Sequence, residues 1–264
     1  MNPGPELRAL IRPHAGEVSE IRPTTYGYSS DLTAVIECEK GPFFVKVMRN
    51  RPGGWRDSIV REKLINPFVQ PISPALRWVA EDEEWIVLGF EAVEGRASDF
   101  RPDSADLPTV VELINAVAEL PFPSVARDWP ETRWDRFAAD AAETELFRGD
   151  ALLHTDINPD NVLIGGRNGW MVDWSWPTRG AAFIDPACLV VQLISSEHSA
   201  EEAEGWAARC LAWKEADPRA IDVFAAANLR MMRRFAERRP DEEWRGAMAA
   251  AARAWVDHRG VTVA

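Results

Sequence analysis

Residues 152–176 read LLHTDINPDNVLIGGRNGWMVDWSW and combine charged, amide and apolar residues in a recognisable order. His154 and Asp156 stand in the pattern H-x-D, and Asn161 follows Asp156 by five residues. A short apolar run then leads to Asp173. This order predicts a polar loop followed by a buried strand that ends in a carboxylate.

The residue types in this segment suit the transfer of a phosphoryl group. Such a reaction needs a carboxylate beside the attacking hydroxyl, where it orients that group and accepts its proton. It also needs ligands that hold Mg²⁺ against the phosphates, and Mg²⁺ prefers hard oxygen donors. Asp156 suits the first role, and Asn161 and Asp173 suit the second. Each residue alone is a weak signal, but the combination predicts a catalytic loop with its metal ligands.

The segment resembles the catalytic loop and metal-binding strand of kinase-like phosphotransferases, and it is closer to the aminoglycoside phosphotransferase family than to protein kinases. Protein kinases carry Arg after the motif His and Lys two residues after the Asp, whereas this chain has Thr155 and Asn158 there. Asp173 is followed by Trp174 instead of Phe. Only a short stretch separates Asp173 from a helix start predicted at Asp185, which disfavours a protein kinase with a long activation loop.

The resemblance implies further site residues in the first part of the chain. Lys46, within the strand-like run FFVKV, matches the lysine that contacts the α- and β-phosphates. Glu62 on the next predicted helix is the candidate partner of that lysine, with Asp57 as the alternative. Gly27 and Ser29 match a G-x-S turn that reaches a phosphate. We therefore expect ATP or GTP, together with Mg²⁺, as cofactors.

The resemblance also implies how the adenine would be held. The carbonyl of Glu91 and the N–H of Val93 correspond to the hinge groups that bind the adenine edge, and Leu163 corresponds to the pocket floor. These are roles of backbone groups and of an apolar side chain. The resemblance covers the chain to about Ile194, and beyond it only helical character continues.

Hydrophobic periodicity predicts an α+β architecture in two parts. The first 92 residues read as β-β-β-α-β-β, with the first strand at 21–27, and the remainder is mostly helical. Helices are predicted over residues 107–120 and 133–146, and Asp185 is predicted to cap a further helix. Together with the resemblance, this predicts a two-lobed protein-kinase-like fold. It would have a small β-rich nucleotide-binding lobe (1–92) and a larger, mostly helical catalytic and acceptor-binding lobe (93–264).

Composition narrows the choice of partners. The net charge is −12, whereas proteins that bind a phosphate backbone are usually basic, so we expect no nucleic-acid partner. Charged residues interrupt the apolar runs well short of a membrane span, and the amino-terminal residues lack the basic and apolar regions of a signal peptide. The three cysteines are scattered, which favours buried free thiols over zinc ligands. We expect a cytoplasmic monomer that does not bind membranes.

The acceptor is predicted only as a small molecule with a hydroxyl group. Residues 93–264 carry a net charge of −10, which would attract a cationic acceptor, although acidic surfaces also serve solubility alone. An aminoglycoside or a cyclic peptide antibiotic, and hence a role in antibiotic resistance, is one reading. A metabolic kinase of choline, homoserine, a sugar or a nucleoside is the alternative. A catalytically silent nucleotide-binding protein is a third, which the complete set of motif residues disfavours.

Overall fold

A computed structural model describes residues 4–24, 30–70, 72–166 and 168–263. Strands dominate its beginning and helices its end, which confirms the predicted α+β class. In chain order the elements are α1 (Pro5–Ala15), β1 (Val18–Pro23), β2 (Leu32–Cys38), β3 (Phe43–Arg49), α2 (Gly54–Ile65), β4 (Leu76–Glu81), β5 (Trp85–Glu91), β6 (Arg96–Ala97), α3 (Leu107–Glu119), α4 (Ala141–Glu145), β7 (Ala151–Leu153), β8 (Val162–Ile164), β9 (Gly169–Met171), β10 (Thr178–Gly180), α5 (Ile184–Ser195), α6 (Ala200–Ala207), α7 (Leu211–Lys214), α8 (Pro218–Arg238) and α9 (Glu243–His258).

Backbone contacts divide the chain into two compact units. The first unit comprises Met1–Arg96 together with Gly165–Trp176, and the second comprises Ala97–Ile164 together with Pro177–Ala264. The first unit therefore ends at Arg96 instead of residue 92 and includes a later segment that sequence reasoning placed in the second part. The functions assigned to residues 1–92 and 93–264 stay predictions.

The first unit is built on an antiparallel sheet in the order β1-β2-β3-β5-β4. Side chains alternate between the faces of a strand, and β3 shows the consequence. Val45 and Val47 pack into a core that includes α1, whereas Met48 packs with Ile59 of α2. Lys46 has the same parity as Met48, so the strand directs it toward the face that α2 covers.

The second unit is mainly helical, and its strands β7 and β10 pair in an antiparallel sheet. Its core is aromatic in part: the ring of Phe224 on α8 lies against those of Trp134, Phe147 and Trp255, with centroids 4.7 to 6.4 Å apart. The buried helix α5 packs against α6 and α9. Strand β7 is buried at Leu153 and leads directly into the polar loop singled out above.

Two predicted boundaries were wrong. The helix expected over residues 133–146 is replaced by a short 3-10 turn (Asp135–Phe137) and by α4, because Ala138 is extended and Asp140 caps a new helix through the N–H of Glu143. The first strand runs over Val18–Pro23 and pairs with β2. Within the described ranges, none of the helices is long and apolar enough to cross a membrane.

Candidate functional site

A buried ammonium group joins two carboxylates in the first unit. Lys46 Nζ lies 2.7 Å from Glu62 Oε2 and 2.7 Å from Asp173 Oδ1. The side chains of Lys46 and Glu62 are almost fully buried, and that of Asp173 is 24% exposed. Strand β3 supplies the lysine, α2 supplies the glutamate, and the segment after β9 supplies the aspartate. The alternative partner, Asp57, is exposed in the first turn of α2.

The electrostatics keep this lysine charged. Burial alone would lower the pKa of Lys46, but the adjacent carboxylates of Glu62 and Asp173 outweigh that effect and raise the pKa above its usual value. Burial raises the pKa of Glu62, and Lys46 opposes this shift. A buried pair of this kind contributes little net stability, but removing one partner leaves the other charge buried and unpaired. The arrangement therefore holds a fixed positive charge beside a partly exposed carboxylate.

A third acceptor completes the shell of the ammonium group. Ser175 Oγ lies 2.8 Å from Lys46 Nζ, so the three N–H groups of the lysine have Glu62, Asp173 and Ser175 as partners. Ser175 is buried and also donates to Asp173 Oδ1. Sequence reasoning missed Ser175, because a serine two residues after the motif aspartate carries no signal of its own.

The second group of motif residues lies in the second unit, on the loop after β7. Asn161 Nδ2 donates to the carboxylate and to the carbonyl oxygen of Asp156, both at 2.9 Å. Asn158 Nδ2 donates to the other carboxylate oxygen at 3.0 Å, and its own side-chain oxygen accepts the N–H groups of Asp160 and Asn161. The Asp156 side chain is exposed, but each of its carboxylate oxygens accepts a hydrogen bond from an asparagine. Partial burial and the neighbouring Asp156 raise the pKa of Asp160.

Asp185 fixes the start of this loop, and its predicted role as a helix cap was wrong. Helix α5 begins one residue earlier, at Ile184. The buried Asp185 carboxylate instead accepts the N–H groups of His154 (2.9 Å) and Thr155 (2.7 Å). Burial raises the pKa of Asp185, and these two N–H groups oppose the shift. The loop therefore depends on a carboxylate that lies 30 residues further along the chain.

Replacing Asp185 with alanine should lower the free energy of unfolding by about 2–3 kcal/mol, because two buried N–H groups lose their acceptor. Denaturation in urea measures this change. Asp185→Asn is the matched control, since an amide oxygen still accepts one N–H group, and it should lose less stability than Asp185→Ala. Equal loss in both variants would contradict the proposed acceptor role.

Thr155, directly before Asp156, adopts a left-handed backbone conformation with φ of +66°. This conformation is strained for a β-branched residue and persists only when the surroundings enforce it. Besides Asp185, Arg133 donates to Thr155 Oγ1 and forms an ion pair with the buried Glu131 at 2.6 Å. Glu131 accepts in turn from Thr178 Oγ1 at 2.7 Å. A polar scaffold that the sequence did not reveal therefore holds the backbone next to Asp156.

The residues predicted to bind the adenine lie at the end of β5, just after it, and on β8. Glu91 is the last residue of β5, where its N–H donates to the carbonyl of Ala75 and its carboxylate pairs with Arg77. Val93 follows two residues later and is half-buried, as is Leu163 on β8. Gly27 and Ser29 lie outside the described residues. The adenine-binding roles of Glu91, Val93 and Leu163 and the phosphate-binding role of Gly27 and Ser29 stay predictions.

The donor chemistry fits the predicted metal. Asp173 offers a partly exposed carboxylate, and Asn161 offers an amide oxygen, since its Nδ2 is engaged by Asp156. Mg²⁺ is usually held by one or two protein ligands together with phosphates and water, not by a full protein cage. No three His, Cys, Asp or Glu side chains gather as a metal site within residues 4–24, 30–70, 72–166 and 168–263.

Comparisons with known proteins show what this chain is similar to. No protein-family model and no curated protein matches the sequence. Solved structures do match: choline kinase LicA from Streptococcus pneumoniae shares 10% identity and a TM-score of 0.68, over 96% of this chain and 98% of that chain. A protein of Ralstonia eutropha assigned as an aminoglycoside phosphotransferase shares 12% identity and a TM-score of 0.64, over 96% and 97%.

A third match is the amicoumacin kinase hAmiN, solved with AMP-PNP, Ca²⁺ and Ami, at 11% identity and a TM-score of 0.55 over 90% of this chain and 88% of that chain. At these identities the comparison establishes a shared fold. The two-lobed kinase-like fold predicted from the sequence is therefore confirmed, and so is the resemblance to aminoglycoside phosphotransferases at the level of the fold.

Proposed function

We propose that this protein is an ATP-dependent phosphotransferase of the aminoglycoside phosphotransferase family, which transfers the γ-phosphate to a hydroxyl group of a small molecule. The observation that carries the proposal is the buried Lys46 ammonium between Glu62 and Asp173. A buried lysine with two carboxylates has little value for stability alone, and it joins a strand, a helix and a segment that lies 127 residues away. The same arrangement suits a phosphate-binding lysine with its positioning glutamate and a metal-binding aspartate.

The roles follow from the chemistry of each group. Lys46 would contact the phosphates, and Glu62 would hold Lys46 in place. Asp173 and Asn161 would hold Mg²⁺, which when bound neutralises charge on the phosphates. Asp156 would orient the acceptor hydroxyl and take its proton. The backbone of Glu91 and Val93, the side chain of Leu163 and the turn at Gly27 and Ser29 would complete the nucleotide site.

The acceptor class remains open between two readings. The net charge of −10 over residues 93–264 supports a cationic acceptor. Solved structures similar to this chain include an amicoumacin kinase, a choline kinase and an aminopropanol kinase, so acceptors of several kinds occur among proteins of this fold. A screen that contains aminoglycosides, cyclic peptides, choline, homoserine, sugars and nucleosides separates the readings. The cytoplasmic location and the monomeric state stay predictions.

Thermal unfolding with Mg·ATP and with Mg·GTP tests the nucleotide site. Wild type should gain about 2.7 kcal/mol of stability at a ligand concentration of about 100 times the dissociation constant. Asp173→Ala should lose the part of this gain that depends on Mg²⁺, whereas Asp57→Ala should retain it, since Asp57 is an exposed carboxylate in the same unit.

Three results would count against the proposal. An unchanged melting temperature of the wild type with both nucleotides would mean that neither nucleotide binds, and only the assignment of the fold would stand. Stabilisation by nucleotide without turnover of any acceptor in the screen would favour a silent kinase-like binding protein. Efficient phosphorylation of a generic protein substrate would instead revive the protein-kinase reading.

A further inference from the structure

We propose that Ser175 is a positioning residue that orients the Asp173 carboxylate for Mg²⁺ and ties it to Lys46. The inference rests on the proposed function for the identity of the metal and the nucleotide. The contacts themselves belong to the first unit and stand without that function. Neither the motif pattern nor the named neighbours assigns a role to this serine.

The hydroxyl group of Ser175 connects a cation and an anion. It accepts a hydrogen bond from Lys46 Nζ at 2.8 Å and donates its single proton to Asp173 Oδ1. Lys46 donates to the same oxygen at 2.7 Å. Glu62 Oε2 is 3.5 Å from the hydroxyl, which is too far to compete for that proton. One oxygen of Asp173 therefore has two donors, and a hydroxyl supplies one of them.

The backbone explains why a serine two residues later can return to Asp173. Asp173 has a left-handed φ of +59°, which turns the chain sharply at this point. The buried Trp174 between them donates its indole N–H to the carbonyl of Met171 at 3.0 Å and anchors the turn. The Ser175 side chain is thereby directed back to the carboxylate, in a buried position.

Orientation is what the hydroxyl contributes. The terminal torsion of an aspartate is broad, so a carboxylate that loses one of its donors can rotate more freely. Groups that hydrogen-bond a metal ligand commonly change metal affinity by 10–100-fold when they are removed. Loss of the Ser175 hydroxyl should therefore weaken the binding of the metal complex and leave metal-free nucleotide binding nearly unchanged.

The first test compares Ser175→Ala with wild type in calorimetric titrations of AMP-PNP, with and without Mg²⁺. Ser175→Ala should weaken binding in the presence of Mg²⁺ by about 10-fold, with less than about 2-fold change in its absence. Ser58→Ala is the matched control, since Ser58 is a buried serine of the same unit that donates to the carbonyl of Trp55. Ser175→Thr keeps the hydroxyl and should restore much of the affinity.

The second test needs no nucleotide. The chain has only four lysines, so ¹⁵N-lysine labelling lets the Lys46 ammonium signal be assigned by its loss in Lys46→Met. In wild type this buried ammonium should exchange its protons slowly with water, and Ser175→Ala should abolish the slowly exchanging signal while Ser58→Ala preserves it. An unchanged signal in Ser175→Ala would show that the Ser175 hydroxyl does not hold the Lys46 ammonium, and it would overturn the proposal.

The outcomes separate the two proposals. If wild type binds Mg·AMP-PNP and Ser175→Ala binds it equally well, the positioning role is overturned and the proposed function stands. If wild type binds no nucleotide, the proposed function fails and the metal-orienting role fails with it. The ammonium signal then reports only whether Ser175 contacts Lys46.

Discussion

Replacing Asp156 with alanine should lower the rate of phosphoryl transfer by about 10³-fold, within the range of roughly 10²–10⁴ for loss of a general base. The affinity for Mg·ATP should change by less than about 2-fold, because the carboxylate is assigned to the acceptor hydroxyl and not to the nucleotide. Single-turnover kinetics with an identified acceptor, together with a nucleotide titration of the same variant, measure the two quantities.

The geometry around Asp156 supports a task that needs a fixed carboxylate. Asn158 and Asn161 each donate to a different oxygen of the carboxylate, at 3.0 and 2.9 Å, while the side chain remains exposed. An exposed aspartate without a function has no need of two amide donors, since water satisfies it. The donors restrict its rotation, as a base that must meet a hydroxyl at hydrogen-bond distance requires.

Asp150→Ala is the control for this prediction. Asp150 lies in the same unit, and its side chain is 93% exposed, so its loss removes one negative charge without touching the loop. It should transfer phosphate at the wild-type rate. If Asp156→Ala retains full activity, or if Asp150→Ala loses as much, the assignment of Asp156 is wrong.

How well the sequence predicted the site depended on how far apart along the chain the contacting residues are. Asp156 and Asn161 are five residues apart, so their spacing was enough to place both on one loop, where they contact each other. Lys46 and Glu62 were chosen because the resemblance implies a lysine on a strand and an acid on the next helix, and the structure brings the two side chains together. These are local patterns, or patterns that a known fold supplies.

The groups that support the site could not be read in the same way. Asp185 follows Thr155 by 30 residues, and its place before a proline suggested a helix cap. Arg133 precedes Thr155 by 22 residues, within a segment that helical periodicity misassigned. Ser175 contacts Lys46 only because residues 165–176 return to the first unit. Each depends on tertiary contacts that no periodicity or spacing encodes.

Replacing Lys46 with methionine should destabilise the protein strongly at neutral and alkaline pH. Glu62 would remain buried without its cation, and loss of one partner of a buried pair costs about 3–5 kcal/mol. The loss should depend on pH. With the ammonium removed, burial and the neighbouring Asp173 carboxylate still raise the pKa of Glu62 and the cation that opposed them is gone, so this pKa in the folded variant lies further above the value in the unfolded chain than it does in wild type.

The sign of the pH dependence follows from proton binding. Below the unfolded value of about 4.3, Glu62 is protonated in both states, and its burial carries no charge penalty. Above that value the unfolded chain releases the proton while the folded variant retains it, so the free energy of unfolding falls by up to about 1.4 kcal/mol per pH unit. Urea denaturation of the metal-free protein at pH 5, 6.5 and 8 should show a deficit against wild type that grows with pH.

Two variants isolate the cause of this pH dependence. In Lys46→Met with Glu62→Gln, the buried group cannot ionise, so the deficit should no longer grow between pH 5 and pH 8, even if a constant cost remains. Arg49→Met removes a cation from the same strand, but Arg49 and its partner Glu84 are 39% and 48% exposed. Its effect should therefore stay within about 1 kcal/mol at every pH. If the loss in free energy of unfolding of Lys46→Met does not depend on pH, then Glu62 becomes exposed to solvent in the variant or is not the partner that Lys46 neutralises.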